Sequence, residues 1–147
     1  MIHFTIKTFQ ELTANEIYEM LRLRSEVFVV EQDCVYQDID NKDQKAMHVL
    51  GIKDHQLIAY ARIFDSGTYF DLPSIGRILV KEDQRKFNYG HQLVEISIQF
   101  VQNNFKEQSI LISAQTYLIK FYNSHGFVQQ GEEYLEDGIP HVKMLRK

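Results

Sequence analysis

The chain has 147 residues, 44% of them hydrophobic and 24% charged, a composition that excludes disordered and fibrous classes and suits one folded domain over 1–147. Its single cysteine excludes an intrachain disulfide framework and a multi-thiolate zinc site, and a net charge of −4 gives no overall attraction to nucleic acid. Apolar runs such as VFVV fall far short of the ~20 residues of a membrane span and MIHFTIKTF lacks a leader's apolar core, so a soluble, cytoplasmic protein is expected.

Residues 2–9 alternate, with Ile2, Phe4 and Ile6 against His3, Thr5 and Lys7, which predicts a half-buried strand. Thr13 with Glu16 fits a capping box, and Ile17, Met20, Leu21, Val27 and Phe28 can share one face of the helix that follows. The FVV run is extended in type, so the helix is expected to stop near it and give way to a long polar loop, EQDCVYQDIDNKDQKA. HVLGI at 48–52 and LIAYARIF at 57–64 predict a hairpin across a short turn, and 66–74 reads as a loop.

IGRILV at 75–80 predicts a central strand, followed by the polar segment KEDQRKFNYG. A helix carrying Leu93, Ile96, Phe100 and Val101 comes next and runs to about Asn104. SILISAQ at 109–115 predicts a short strand and 116–126 a last helix closed by Gly126. FVQQGEEYLEDGIPHVKML predicts two strands around an Asp137-Gly138 turn. The order β-α-β-β-β-α-β-α-β-β implies an α/β fold in which a mixed sheet carries helices on both faces.

The segment from 75–80 through Arg85, Lys86, Phe87, Asn88, Tyr89, Gly90 and His91 joins a strand, a basic polar turn and a helix N-terminus. That combination offers unpaired N–H groups to an anion, most often a phosphate. It has neither the ending of a Walker loop nor the three glycines of a dinucleotide fingerprint. Asp33, Asp38, Asp40 and Asp43 lack the spacing of a calcium loop, so no metal is expected and the acidic run reads as a solvated loop favouring a cationic amine. Cys34 reads as a small, buried, apolar side chain.

R-x-x-x-x-G at 85–90 after a strand, then an amphipathic helix, a short strand and FYNSHGF at 121–127, resembles the GNAT superfamily of N-acetyltransferases. LRSEVFVVEQDCVYQDIDNKDQKAMH at 23–48, SIGRILV at 74–80 and YLEDGIPHVKM at 134–144 resemble its ElaA-like branch, so the likeness covers essentially the whole chain. The resemblance implies acetyl-CoA as donor, a primary amine as acceptor, and splayed parallel central strands with the donor between them. It places the pantetheine arm on Ile78, Leu79 and Val80, the diphosphate on the 85–91 turn, and a further contact on Gln115. Asn88 stands where the family pattern has a glycine, and Asn tolerates a left-handed backbone.

By the same resemblance Tyr122 protonates the departing thiolate. Many relatives carry a glutamate on the strand matching 75–80; here none is present, and Arg77 cannot accept a proton. Arg77 is left to bind an acceptor carboxylate or to pair with an internal acid. Glu31, His48, His141 or a relaying water are the candidates for the base. Because the strand lacks that carboxylate, a CoA-binding or sensing module with weak chemistry stays open as an alternative. The acceptor is expected to be a small-molecule or peptide amine, and a homodimer is possible.

Overall fold

The computed structural model describes all residues, Met1–Lys147. Ten elements follow in order: β1 (His3–Thr8), α1 (Ala14–Arg24), β2 (Met47–Lys53), β3 (Gln56–Phe64), β4 (Ser74–Val80), α2 (Tyr89–Asn104), β5 (Ile110–Gln115), α3 (Ile119–Asn123), β6 (Val128–Glu136) and β7 (Ile139–Arg146). No helix is long and apolar enough to cross a membrane.

The strands form two sheets, β1-β2-β3-β4 and β5-β7-β6. Every ladder in both is antiparallel, so the expectation of a mixed sheet with splayed parallel central strands is wrong. β2-β3 and β6-β7 are joined by short turns and β3-β4 by a nine-residue loop, which antiparallel pairing accommodates, while β1 and β5 pair antiparallel with strands distant in sequence. Between β4 and β5 no ladder forms; one bond, from the Leu111 N–H to the Pro73 carbonyl at 2.9 Å, spans the gap.

The four-stranded sheet is covered on both faces, which is why β3 is apolar almost throughout. Leu50, Tyr60 and Leu79 pack with Leu12, Met20, Leu23 and Val27 on the α1 side. Val49, Ala61, Ile63, Ile75 and Val80 pack with Leu93, Val94, Ile98 and Val101 on the α2 side, in a core that continues into β5 and β7. Gly51 lets β1 and β3 close over it, since a Cβ there would stand 2.8 Å from Ala59 Cβ and 2.9 Å from Phe4 Cε1.

Thr13 caps α1 as expected, accepting from the Glu16 N–H at 3.1 Å while Glu16 Oε1 accepts from the Thr13 N–H at 2.8 Å. The helix does not stop at FVV. It widens into a π-helical segment over Ser25–Glu31, because Val27 is buried against the sheet and tertiary packing outweighs the β preference of the valines. The predicted last helix opens as a 3-10 turn at Thr116–Leu118 and continues as the five-residue α3, with Gly126 at φ 89° behind it.

Candidate active site

A cavity of about 500 Å³ opens along the gap between the sheets. β4 is the outer strand of one sheet and β5 of the other, so each presents backbone N–H and C=O groups that no neighbouring strand satisfies. Ile78, Leu79 and Val80 line the cavity, and the Val80 carbonyl accepts from Arg85 Nε at 2.9 Å. Opposite Ala61 of β3, β4 carries Arg77 and Ile78, one residue more than its partner. This bulge puts Arg77 at φ 49°, a left-handed backbone that a side chain adopts only under constraint.

The helix-end anion site is present. Asn88 takes the left-handed conformation at φ 62° and ψ 23°, and no side chain caps α2, which leaves its first N–H groups without side-chain partners. Arg85, Asn88, Gly90 and His91 line the cavity, whereas Lys86, Phe87 and Tyr89 do not. Tyr89 belongs to the core. Phe87 is turned to Lys53, whose Nζ is 4.0 Å from its ring centroid, and Lys86 Nζ lies over the same ring. A Cβ on Gly90 would meet only Phe121 and Val80 at 3.6 Å or more, so the protein itself does not require a glycine there. Gln115 lines the cavity beside Gln32, whose amide donates to its Oε1 at 3.4 Å.

The base candidates separate cleanly. Glu31 accepts two bonds from the Arg85 guanidinium, at 2.6 and 2.8 Å, so it stands on the cavity wall as one half of an ion pair and not as a partly buried lone carboxylate. His48 is fully buried outside the cavity wall, with Nδ1 2.6 Å from the Tyr60 hydroxyl and Nε2 2.8 Å from the Asp43 carbonyl. Burial lowers its pKa, outweighing the Asp43 contacts, and the neutral ring has both nitrogens engaged. His141 lines the cavity and is 6% exposed; its Nδ1–H donates to the Ile139 carbonyl at 2.7 Å. In the neutral ring that bond leaves the lone pair on Nε2, which lies 3.4 Å from Glu136 Oε2.

Glu136 and Ser113 are cavity-wall residues that sequence reasoning missed, and Tyr134, off the wall itself, bonds to Ser113. Ser113 Oγ donates to Glu136 Oε1 at 3.1 Å and is also hydrogen-bonded to the Tyr134 hydroxyl. Tyr134 and His141 face each other across β6 and β7, two residues from the Glu136–Ile139 pair that flanks the turn. Tyr122 lines the cavity with its side chain largely buried, and its hydroxyl bonds to no protein group. Arg62 Nε is the one fully enclosed side-chain nitrogen or oxygen without a partner, so the unpartnered Tyr122 hydroxyl is accessible on the cavity wall. Burial raises its pKa, with Tyr117 adding to the effect. Cys34 is half-buried on the same wall, its thiol 3.4 Å from the Asp137 carbonyl, and not the enclosed apolar residue expected.

The acidic loop is not solvated. Arg24 Nε donates to Asp38 at 2.9 Å and its NH1 to Asp43 at 2.8 Å. Arg62 donates to Asp40 and Asp43, each at 2.9 Å. Arg77 Nε donates to Asp38 at 2.7 Å. Three arginines thus neutralise three aspartates, which removes the loop's expected pull on a cationic amine; Arg77 pairs with internal acids through Nε and NH2 while remaining on the cavity wall. Burial pushes the Asp40 carboxyl up, but Arg62 and Arg77 outweigh it and hold the pKa at about 2.

The profile of the acetyltransferase (GNAT) domain matches residues 8–147. Protein ElaA of Escherichia coli K12 is 40% identical over 149 residues, spanning 100% of this chain and 97% of that protein. The crystal structure of an acyl-CoA N-acyltransferase from Pseudomonas aeruginosa superposes with a TM-score of 0.95 at 38% identity, and that of Escherichia coli ElaA with 0.93 at 39%, both over the full length of each chain.

Proposed function

The chain belongs to the GNAT acetyltransferase family, in its ElaA-like branch, and is an acetyl-CoA-dependent acyltransferase; on that premise we propose that its single domain over 1–147 acetylates a primary amine by direct attack in a ternary complex. The observation that carries this reading is the cavity between two unpaired strand edges, entered at one side by an uncapped helix end and at another by His141. The residues fit the donor: the free edge of β4 at Ile78–Val80 offers backbone groups to an arm rich in amides, as in strand addition. The start of α2, with Asn88, Gly90 and His91, offers N–H groups and its dipole to a diphosphate. Gly90 leaves room for that approach.

Acetyl-CoA brings an already activated thioester, so the protein supplies position and proton handling. The neutral amine attacks the thioester carbonyl, His141 Nε2 takes a proton from that nitrogen as the C–N bond forms, and Glu136 faces the imidazolium that results. Unpaired N–H groups on the β4 edge hydrogen-bond the carbonyl oxygen as charge develops there. Tyr122 donates to the leaving sulfur. Glu136 and Asp137 are carboxylates on the cavity wall with no arginine or lysine partner, which favours a small-molecule or peptide amine bearing positive charge.

Thiol release from acetyl-CoA, measured over a panel of primary amines and their tertiary counterparts, tests this. Turnover is expected with primary amines only. His141→Ala is expected to lose roughly 10²–10⁴-fold in kcat/KM and to recover part of it with added imidazole. Binding of CoA without thiol release for any amine would overturn the reaction.

A further inference from the structure

His91 and Glu95 stand one turn apart on the same face of α2, and His125, just beyond α3, inserts between them. His91 Nδ1 lies 2.9 Å from His125 Nε2, and His125 Nδ1 lies 3.0 Å from Glu95 Oε1. His125 is 9% exposed, and its backbone carbonyl accepts from Arg146 Nε at 2.9 Å, which fixes the ring's position. The His91 ring also packs on Phe121, with centroids 4.7 Å apart. This chain of contacts uses both nitrogens of His125 and the inner nitrogen of His91. Only His91 Nε2 is left without a protein partner, on a residue lining the cavity with Asn88 and Gly90.

The hydrogens on this array can be counted. An ionised carboxylate only accepts, so His125 Nδ1 carries a hydrogen. With both rings neutral, His125 Nε2 is a lone pair, His91 Nδ1–H donates to it, and His91 Nε2 presents a lone pair to the cavity. With one further proton, His91 Nε2 carries a hydrogen whichever ring holds the charge. If the charge is on His91, both its nitrogens donate; if on His125, His125 Nε2–H donates to His91 Nδ1 and the His91 hydrogen moves outward. A single proton therefore converts the outward nitrogen from acceptor to donor, and Glu95 stabilises the charge from the far end.

We infer that Glu95, His125 and His91 form a proton-linked clasp for the donor's diphosphate at the start of α2, with Glu95 and His125 as positioning residues that act through His91. The inference rests on the donor site proposed above and adds the proton to it. The other charged groups of the neighbourhood are Arg85, paired with Glu31, Lys120 on the exposed side of α3, and Arg146, which bonds only to the His125 backbone. None of them hydrogen-bonds to either ring.

Titration calorimetry with 3′-dephospho-CoA, which keeps the diphosphate and lacks the titrating monoester, tests the clasp in buffers of different ionisation heat from about pH 6 to about pH 9. Binding is expected to take up close to one proton per site over part of that range. Where it does, affinity should fall by up to about tenfold per pH unit as pH rises. Pantetheine, with no diphosphate, should take up none. His91→Phe keeps the ring packing and should bind without uptake; Glu95→Gln should move the uptake to lower pH. Binding without proton uptake at any pH, or uptake unchanged in His91→Phe, overturns the clasp while leaving the donor site standing. No binding of CoA by the wild-type protein would overturn the donor site itself, and the clasp with it.

Discussion

Tyr122 enters the cavity from α3 as a phenol whose pKa burial has raised, so it keeps its proton throughout the working pH range. A neutral hydroxyl with no protein partner on the cavity wall can donate to negative charge arriving there. Tyr122→Phe removes that donor and keeps the ring against Phe121 and Phe127. Steady-state kinetics should show kcat down roughly 10–100-fold with the KM for acetyl-CoA nearly unchanged. Equal kcat would leave the tyrosine a packing residue. Its place was legible in FYNSHGF through the family resemblance. Glu136 was legible in a different way and was passed over: a two-residue turn at Asp137-Gly138 pairs Glu136 with Ile139 and therefore Tyr134 with His141, on one face of the hairpin. Ser113 could not be placed so, because its contact with Glu136 depends on which strand of a distant hairpin lies beside β5.

At the scale of the element, the 32–46 loop shows what composition hides. Four aspartates in an eleven-residue stretch look solvated, and the arginines that bury three of them come from α1, β3 and β4, too far along the chain for local spacing to report. The same network constrains the bulge at Arg77. Because Asp40 is held at about 2 against an ordinary value of 3.8, its contribution is fully present above pH ~4 and is lost as pH falls through ~2. The depression corresponds to about 2 kcal/mol. Asp40→Asn should therefore lower urea stability by about that amount at neutral pH, more where it leaves Arg62 short of a partner. The gap to wild type should close between about pH 4 and about pH 2. A gap that stayed constant over that interval would mean the carboxylate charge contributes nothing.

For the molecule as a whole, elements were readable from periodicity and turn residues, while the division into two sheets was not, since pairing between β4 and β5 is decided only when α2 and β7 pack beneath them. The division has a consequence for binding. The halves share a core, yet across the gap they share one backbone bond, so a ligand arm lying there supplies hydrogen bonds that the fold leaves open. Saturating CoA should then stabilise the folded state by about 2.7 kcal/mol at a hundredfold excess over Kd. Hydrogen exchange should locate the effect: amides of Ile78–Val80 are expected to slow with pantetheine and with CoA, and those of Tyr89–His91 with CoA alone. Slowing confined to α2 would place the arm outside the gap, and the strand edges would then be a feature of the fold with no part in holding the donor.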